Sequence, residues 1–304
     1  MGRPLRLLEP QGCYFVTARC FQARLLLRPS SETNELVGGT LARAVRTYGV
    51  ELFGFVVASN HLHLLVRARR GNLPIFMQYL LSNVSKKVGR LVAWRGGLWE
   101  RRYSAEPVID DEAMVGRLRY ILSHGVKEGL VRRCSEWPGL SCVAQLLGHR
   151  VRRFHWFNWT ARWRSAPRKP DPRTLLDMRW AQPVELELRP LPCWAHLSAA
   201  QRLQRALELI TSIDQEGQIS SGGVMGRRRV MNQRPHRRPR HIKRTPRPLC
   251  HATTRQGWEA FRQLYRAFAA RFAEASERWR SGELLAQFPP FGIRPFLWPA
   301  ACQV

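Results

Sequence analysis

The feature that most constrains the fold is a pair of consecutive apolar runs. Residues Val50 to Ala58 are almost continuously apolar, Ser59-Asn60 supplies turn chemistry, and His61 to Ala68 continues at once as a second run. A strand apolar on both sides of its pleat must be covered on both faces. The chain is therefore committed to a sheet backed by helices.

Around that hairpin the hydrophobic period changes from two to between three and four. Gly12 to Arg19 is β-rich, and Ser31-Glu32 with Thr33 opens a helix through Leu36, Leu41, Val45 and Tyr48. Leu73 to Trp94 is helical by the spacing of Leu73, Phe76, Met77, Leu80, Leu81, Val84, Val88 and Leu91, and its other face carries Ser85, Lys86, Lys87 and Arg90. Gly96-Gly97 stops it, Leu98 to Ile109 reads as a strand, and Asp110-Asp111 caps a helix reaching about His124 before Gly125. The order β-α-β-β-α-β-α predicts an α+β fold, a ferredoxin-like or RRM-like antiparallel sheet with helices on one face and the other face free to work.

At 304 residues the chain has room for more than that domain. We divide it into a core domain over 1–150, a Trp/Arg-rich and helical extension over 151–226, a basic arm over 227–250, and a C-terminal amphipathic helix and tail over 251–304. The extension interleaves Arg150, Arg152 and Arg153 with Phe154, Trp156, Phe157, Trp159 and Trp163 before a Pro-rich break at Pro167 to Pro172. Pro190 to Asp214 reads as helical, with Leu197, Leu203, Leu207 and Ile210 on one side. Arg227 to Arg247 holds ten Lys/Arg and three Pro in 21 residues, which suits an extended arm that binds a duplex stem or a disordered tail. Trp258, Phe261, Tyr265, Phe268, Phe272, Ala275 and Trp279 form one helical seam, too short for a convincing coiled coil and suited to docking on a core.

The formal net charge is +28, from 50 Lys+Arg against 22 Asp+Glu, and such a field attracts polyanions, nucleic acid first among them. Seven Cys without a C-x-x-C pair argue against a disulfide framework or a structural zinc site. No signal-peptide stretch and no run of about 18 apolar residues occurs, so a soluble, reducing, cytoplasmic setting without membrane contact is expected.

Chemistry concentrates at His61-Leu62-His63. On a strand the two imidazoles share a face while Leu62, Leu64 and Val66 point into the core, so the pair either coordinates a divalent ion or lies at a solvated strand edge. Tyr120 and His124 stand at i and i+4 on the third helix. They form either a nucleophile beside a metal ligand, or a packed aromatic plus a helix-terminal histidine favoured by the macrodipole.

The run Phe55-Val56-Val57-Ala58-Ser59-Asn60-His61-Leu62-His63-Leu64-Leu65-Val66 resembles the strand-turn-strand of single-tyrosine HUH transposases. Leu98-Trp99-Glu100-Arg101-Arg102-Tyr103 resembles their aromatic strand. Arg119-Tyr120-Ile121-Leu122-Ser123-His124-Gly125-Val126-Lys127-Glu128-Gly129-Leu130-Val131 resembles their Tyr-Ile-x-x-Asn-Pro-x-x-Ala-Gly-Leu-Val stretch, and Trp137-Pro138 with Ser141 the Trp-Pro-x-Ser-Ser that follows. The likeness covers roughly residues 8 to 150 and is sharpest to the REP-associated tyrosine transposases. Leu191-Pro192-Cys193-Trp194-Ala195 and Pro248-Leu249-Cys250-His251-Ala252 resemble blocks of their long forms.

That resemblance makes 1–150 a catalytic domain and implies metal-dependent nicking and rejoining of single-stranded DNA, on hairpin-forming repeats, through a 5′-phosphotyrosine. It implies Tyr120 as nucleophile, His61 and His63 as ligands to Mg²⁺ or Mn²⁺, and His124 where the family has Gln or Asn. A third imidazole moves preference toward Mn²⁺ or Zn²⁺, and Gly125 in place of the family's Pro is expected to loosen the helix exit. Lys86, Lys87, Arg90, Arg101, Arg102, Arg152 and Arg153 are candidates for DNA contact, the aromatics beside them for stacking on bases or packing a boundary. Single-stranded or hairpin DNA is the expected partner of a monomer or homodimer in a prokaryotic, nucleoid-associated setting, with no nucleotide cofactor. Two other readings stand beside it: a non-catalytic nucleic-acid-binding protein on an RRM-like sheet, and a metal-dependent nuclease. Tyr14, Tyr79 and Tyr103 are rival nucleophiles by residue type.

Overall fold

The computed structural model describes residues 5–148, 151–165, 176–219, 223–239, 248–283 and 285–290. The first strand, β1 (Cys13–Arg19), leads to α1 (Ser31–Tyr48), which Ser30 caps by accepting from the Thr33 backbone N–H and which Gly49 ends in the left-handed region at φ 62°. The apolar pair forms β2 (Glu51–Ala58) and β3 (His61–Arg67); α2 (Leu73–Leu91) and β4 (Ser104–Val108) follow. The sheet order β2-β3-β1-β4, antiparallel throughout, is the ferredoxin-like arrangement expected. β4 is shorter than the strand read from Leu98. Glu100 N–H donates to the Arg19 carbonyl and the Trp99 indole to that of Leu81, and these bonds hold 98–103 in an irregular path ahead of it.

Next come α3 (Asp111–Leu122), capped by Asp110, and α4 (His124–Lys127), set off at Ser123. α1 and α2 pack together on one face of the sheet, over Val16, Leu62 and Leu64. α3 crosses the other face so closely that a Cβ on Gly54 would lie 2.8 Å from a Leu118 methyl. The second face is therefore a helix-covered site and not an open platform.

Past the short α5 (Val143–Leu146), β5 (Val151–Phe157), α6 (Trp159–Ser165) and β6 (Ala181–Glu187) make a hairpin with a helix between its strands. The hairpin lies against α1, where a Cβ on Gly39 would meet the His155 carbonyl at 2.2 Å; only glycine admits this approach. Phe154, Val184 and Leu186 join the same core as the sheet, so the extension is packed into the first 150 residues. The Pro-rich break lies outside the described residues.

α7 (Ala199–Ile219) packs against α3 through Ile210, Ile213 and the small Ala206, while Leu207 is 41% exposed, one position off the seam expected. Residues 227–239 are not a free arm. α8 (Arg227–Met231) buries Val230 completely, Arg28 bonds the Met231 carbonyl, and Leu25 N–H donates to the Arg237 carbonyl. The rest of that stretch, 240–247, lies outside the described residues. α9 (Arg255–Arg280) docks as expected, with Phe261 and Phe268 buried against Leu7 and Cys250. The six cysteines described are free, and no described helix is long and apolar enough to cross a membrane.

Candidate active site

His61 and His63 occupy the start of β3, opposite Arg19 and Thr17 of β1 and Ala58 and Val56 of β2. Two apart on a strand, both imidazoles face α3, which with α4 carries Tyr120 and His124 over them. Ring centroids lie 4.7 Å apart for His61–His63, 4.6 Å for His61–His124 and 5.3 Å for His63–His124. One nitrogen of each ring lies within 4.8 Å of the others. The Tyr120 ring stands edge-on to His63 at 5.4 Å and lies 6.1 Å from His124.

The hydrogen bonds around the rings decide which nitrogens are free. Asn60 Nδ2 donates to the Ala23 carbonyl, which orients the amide, so its Oδ1 accepts from His61 Nδ1 at 2.6 Å and leaves Nε2 with the lone pair. Thr17 Oγ1 engages His63 Nδ1 at 2.9 Å in the same way. His63 Nε2 and His124 Nδ1 are buried with no hydrogen-bond partner among the described residues. An unpaired buried polar atom costs about 1–3 kcal/mol, which a bound ion would recover.

The electrostatics agree with that geometry. Burial, followed by the neighbouring imidazoles and the Arg19 and Lys127 cations, holds His61 and His63 well below the ordinary histidine pKa. Burial and then Lys127 bring His124 down to about 3. All three are neutral at pH 7 and present lone pairs, the state in which imidazole binds metal. The residues present fit a divalent cation.

Three cations beside this cluster had been given no role by sequence. Lys127 Nζ lies 3.2 Å from the Tyr120 ring centroid, and Arg117 Cζ 5.2 Å from it. Arg19 lies opposite His61 in the sheet register. Arg117 and Lys127 stand at i−3 and i+7 from Tyr120, a spacing visible in the sequence, whereas Arg19 and Thr17 enter only through strand pairing. Gly125 is not a loosened exit: a Cβ there would meet Val131 at 2.9 Å and the Trp137 ring at 3.1 Å.

The expected DNA-contact residues do not gather here. Lys87 is buried at 3% exposure, donates to the Phe157 carbonyl at 3.0 Å and faces the Trp156 and Trp159 rings, so the grip expected of it is corrected. The β5–β6 hairpin covers that side of α2. Arg90 stacks 4.9 Å from Trp159, and Lys86 is exposed. Half-buried Arg152 donates to the Ser141 carbonyl, and Arg153 pairs with Glu185 at the surface. Arg101 and Arg102 are exposed just ahead of β4.

Among the rival tyrosines, Tyr14 is buried with its hydroxyl accepting from Glu9 N–H at 2.6 Å, and Tyr79 packs on Tyr48. Tyr103 is 7% exposed, and burial raises its pKa above the usual tyrosine value.

Residues 27–124 match the family model described as IS200-like transposase, a span that holds His61, His63, Tyr120 and His124. A Haemophilus influenzae (strain ATCC 51907 / DSM 11121 / KW20 / Rd) protein, provisionally described as a REP-associated tyrosine transposase, is 26% identical over 102 residues, 30% of this chain and 58% of the relative. The chain thus matches little more than half of that curated relative's length. A solved REP-associated tyrosine transposase bound to a REP hairpin superposes with a TM-score of 0.42 at 18% identity, over 48% of this chain and 84% of the other. The sequence likeness to the IS200-like transposase family thus lies over residues 27–124, the part of the chain that holds the imidazole cluster and Tyr120.

Proposed function

We propose that this protein nicks and rejoins single-stranded DNA through Tyr120, beside a divalent ion held by His61, His63 and His124, on DNA that forms repeat hairpins. The observation that carries the reading is the convergence of three neutral imidazoles, two of their nitrogens buried without partners among the described residues, with a half-buried tyrosine ring 5.4 Å from His63. The repeat-DNA substrate follows the relative's description as REP-associated, and its hairpin form follows the family resemblance of the sequence. On this reading residues 1–150 are the catalytic domain, which the remainder buttresses and helps to hold DNA.

A divalent ion bound there would polarise a non-bridging phosphate oxygen and offset charge as the reaction proceeds. Three imidazoles favour Mn²⁺ over Mg²⁺, which prefers oxygen ligands. The Tyr120 oxygen attacks phosphorus in line with the departing 3′ oxygen. The Tyr120 O–P bond forms, the P–O3′ bond breaks, the phenolic proton passes to solvent, and the 3′ oxygen leaves as a hydroxyl after taking one up. The tyrosyl phosphodiester is similar in energy to the bond broken, so a second 3′-OH can reverse the step without a nucleotide. Lys127 and Arg117 flank the phenol where negative charge accumulates. Thr17 and Asn60 fix the tautomers of the two β3 histidines.

The test incubates the full chain with hairpin oligonucleotides that carry single-stranded flanks from the DNA around its own gene, with Mn²⁺ or Mg²⁺, on a denaturing gel. A covalent protein–DNA adduct is expected, absent in Tyr120→Phe while binding survives. An adduct in that variant would overturn the assignment, and cleavage with no protein-linked product would identify a hydrolase.

A further inference from the structure

A second concave site lies where the N-terminal segment, β4 and α9 meet. It encloses a cavity of about 340 Å³, at the lower end of the range for small-ligand pockets. Its walls include Leu5, Leu249, Phe261 and Tyr265. Tyr103 and Ser104 also line it, each 7% exposed, and each carries a hydroxyl buried with no partner among the described residues. Two adjacent orphaned hydroxyls in a mostly apolar hollow mark a place that expects a ligand with a polar edge.

Its position relates it to the imidazoles. Ser104 pairs with Thr17 on β1, Thr17 pairs with His63 on β3, and the three share one face of the sheet. Two strand spacings, about 10 Å, therefore separate Ser104 from His63 along that row. Arg101 and Arg102 line the same hollow, and the Arg6 guanidinium lies 3.6 Å over the Tyr103 ring.

We infer that this cavity receives one unpaired base of the DNA strand, from a nucleotide flanking the phosphate that Tyr120 attacks. The inference rests on the DNA-cleaving reading above. An aliphatic ligand would leave both hydroxyls unpaired, and a bare phosphate would meet apolar walls. A heterocycle offers flat faces to Phe261 and Tyr265, an edge of donors and acceptors to Tyr103 and Ser104, and a tethered phosphate to the arginines. Because the hydroxyls are unsatisfied until it enters, the site rejects a sugar without a base.

The test measures binding of single-stranded oligonucleotides to the full chain without metal, in a Tyr120→Phe background that leaves the strand intact. An abasic site is moved along the oligonucleotide one position at a time. One position is expected at which loss of the base weakens binding about tenfold. Tyr103→Phe with Ser104→Ala should abolish that difference while melting no lower than the parent, since the hydroxyls removed were unpaired. Tyr103→Phe alone keeps the ring and should lower affinity for the intact strand about threefold, so the inference stays testable if the double variant is unstable. An abasic scan with no sensitive position, or one whose sensitive position is unchanged in these variants, would overturn the cavity's role. Neither result bears on the covalent adduct, and absence of the adduct in the parent protein leaves this measurement intact.

Discussion

The two faces of the sheet treat positive charge in opposite ways. On the α1–α2 side three cations engage the fold: Lys87 bonds the Phe157 carbonyl, Arg43 lies 4.6 Å from the Trp156 ring and Arg90 4.9 Å from that of Trp159. On the α3–α4 side Lys127 and Arg117 lie over the Tyr120 ring, Arg117 also 5.6 Å from that of Phe15, beside imidazole nitrogens that have no partner among the described residues. A basic side chain whose contacts are complete inside the protein is structural, however strongly the net charge suggests DNA. Function is to be sought where polar atoms are buried and still unpaired.

The comparison breaks most visibly at His63. His63→Ala is expected to lower metal affinity by more than about 100-fold and to abolish the covalent adduct, because it removes a ligand and not merely a supporting group. Calorimetric metal titration and the denaturing gel read the two effects. Metal binding equal to that of the parent would return the cluster to the same structural class as the α2 side.

Acid separates the faces next. Burial depresses the pKa of His61, His63 and His124, whereas unfolded histidines titrate near 6.5. Below pH 6.5 the unfolded chain therefore binds more protons than the folded one, so stability present above that pH is lost as pH falls. With three protons taken up on unfolding, the slope approaches about 4 kcal/mol per pH unit in metal-free protein. Urea unfolding in chelator at pH 7.5 and 5.5 measures it, against a variant with all three histidines changed to Gln. Equal slopes in the two proteins would show that the imidazoles are not held neutral by the fold.

Much of this was legible in the residues, and what was hidden depended on distant partners. The hairpin, the caps near Ser31 and Asp110 and the shared face of His61 and His63 follow from local rules. The covered second face departs from the open one expected, although a strand apolar on both sides, Val50 to Ala58, already required cover there. Lys87 sits at the margin of an apolar helical stripe, and what buries it is a hairpin beginning at Val151. The Tyr103 cavity needs Leu5 and Phe261, from opposite ends of the chain, and Thr17 reaches His63 only through strand register.

Thr17 gives a smaller test on the α3 side. Thr17→Val keeps the shape and removes the oxygen that engages His63 Nδ1, freeing the ring to choose the wrong tautomer. Metal affinity should fall about 10- to 100-fold, the usual consequence of losing a group that orients a ligand. Thr17→Ser should restore it, since the hydroxyl returns. Failure of that rescue would mean that the valine acted through packing.

The finest contrast pairs the two lysines. Burial lowers the Lys87 pKa from 10.5 to about 8, so at pH 7 it is charged at a cost, and stability should rise with pH between those values as the unfolded chain keeps the proton that the folded one sheds. Lys87→Met removes that desolvation cost but leaves the Phe157 carbonyl without its donor, so stability should move by only about 1 kcal/mol and adduct formation not at all. Lys127 is exposed, and Lys127→Met should leave stability within about 0.5 kcal/mol while slowing adduct formation about tenfold, through loss of a cation beside the reacting phenol. Adduct rates against salt sharpen the distinction, because screening should weaken the exposed contribution and leave the buried one alone. If Lys87→Met instead slowed the adduct as much as Lys127→Met, the two faces would share one electrostatic function and the division between them would fail.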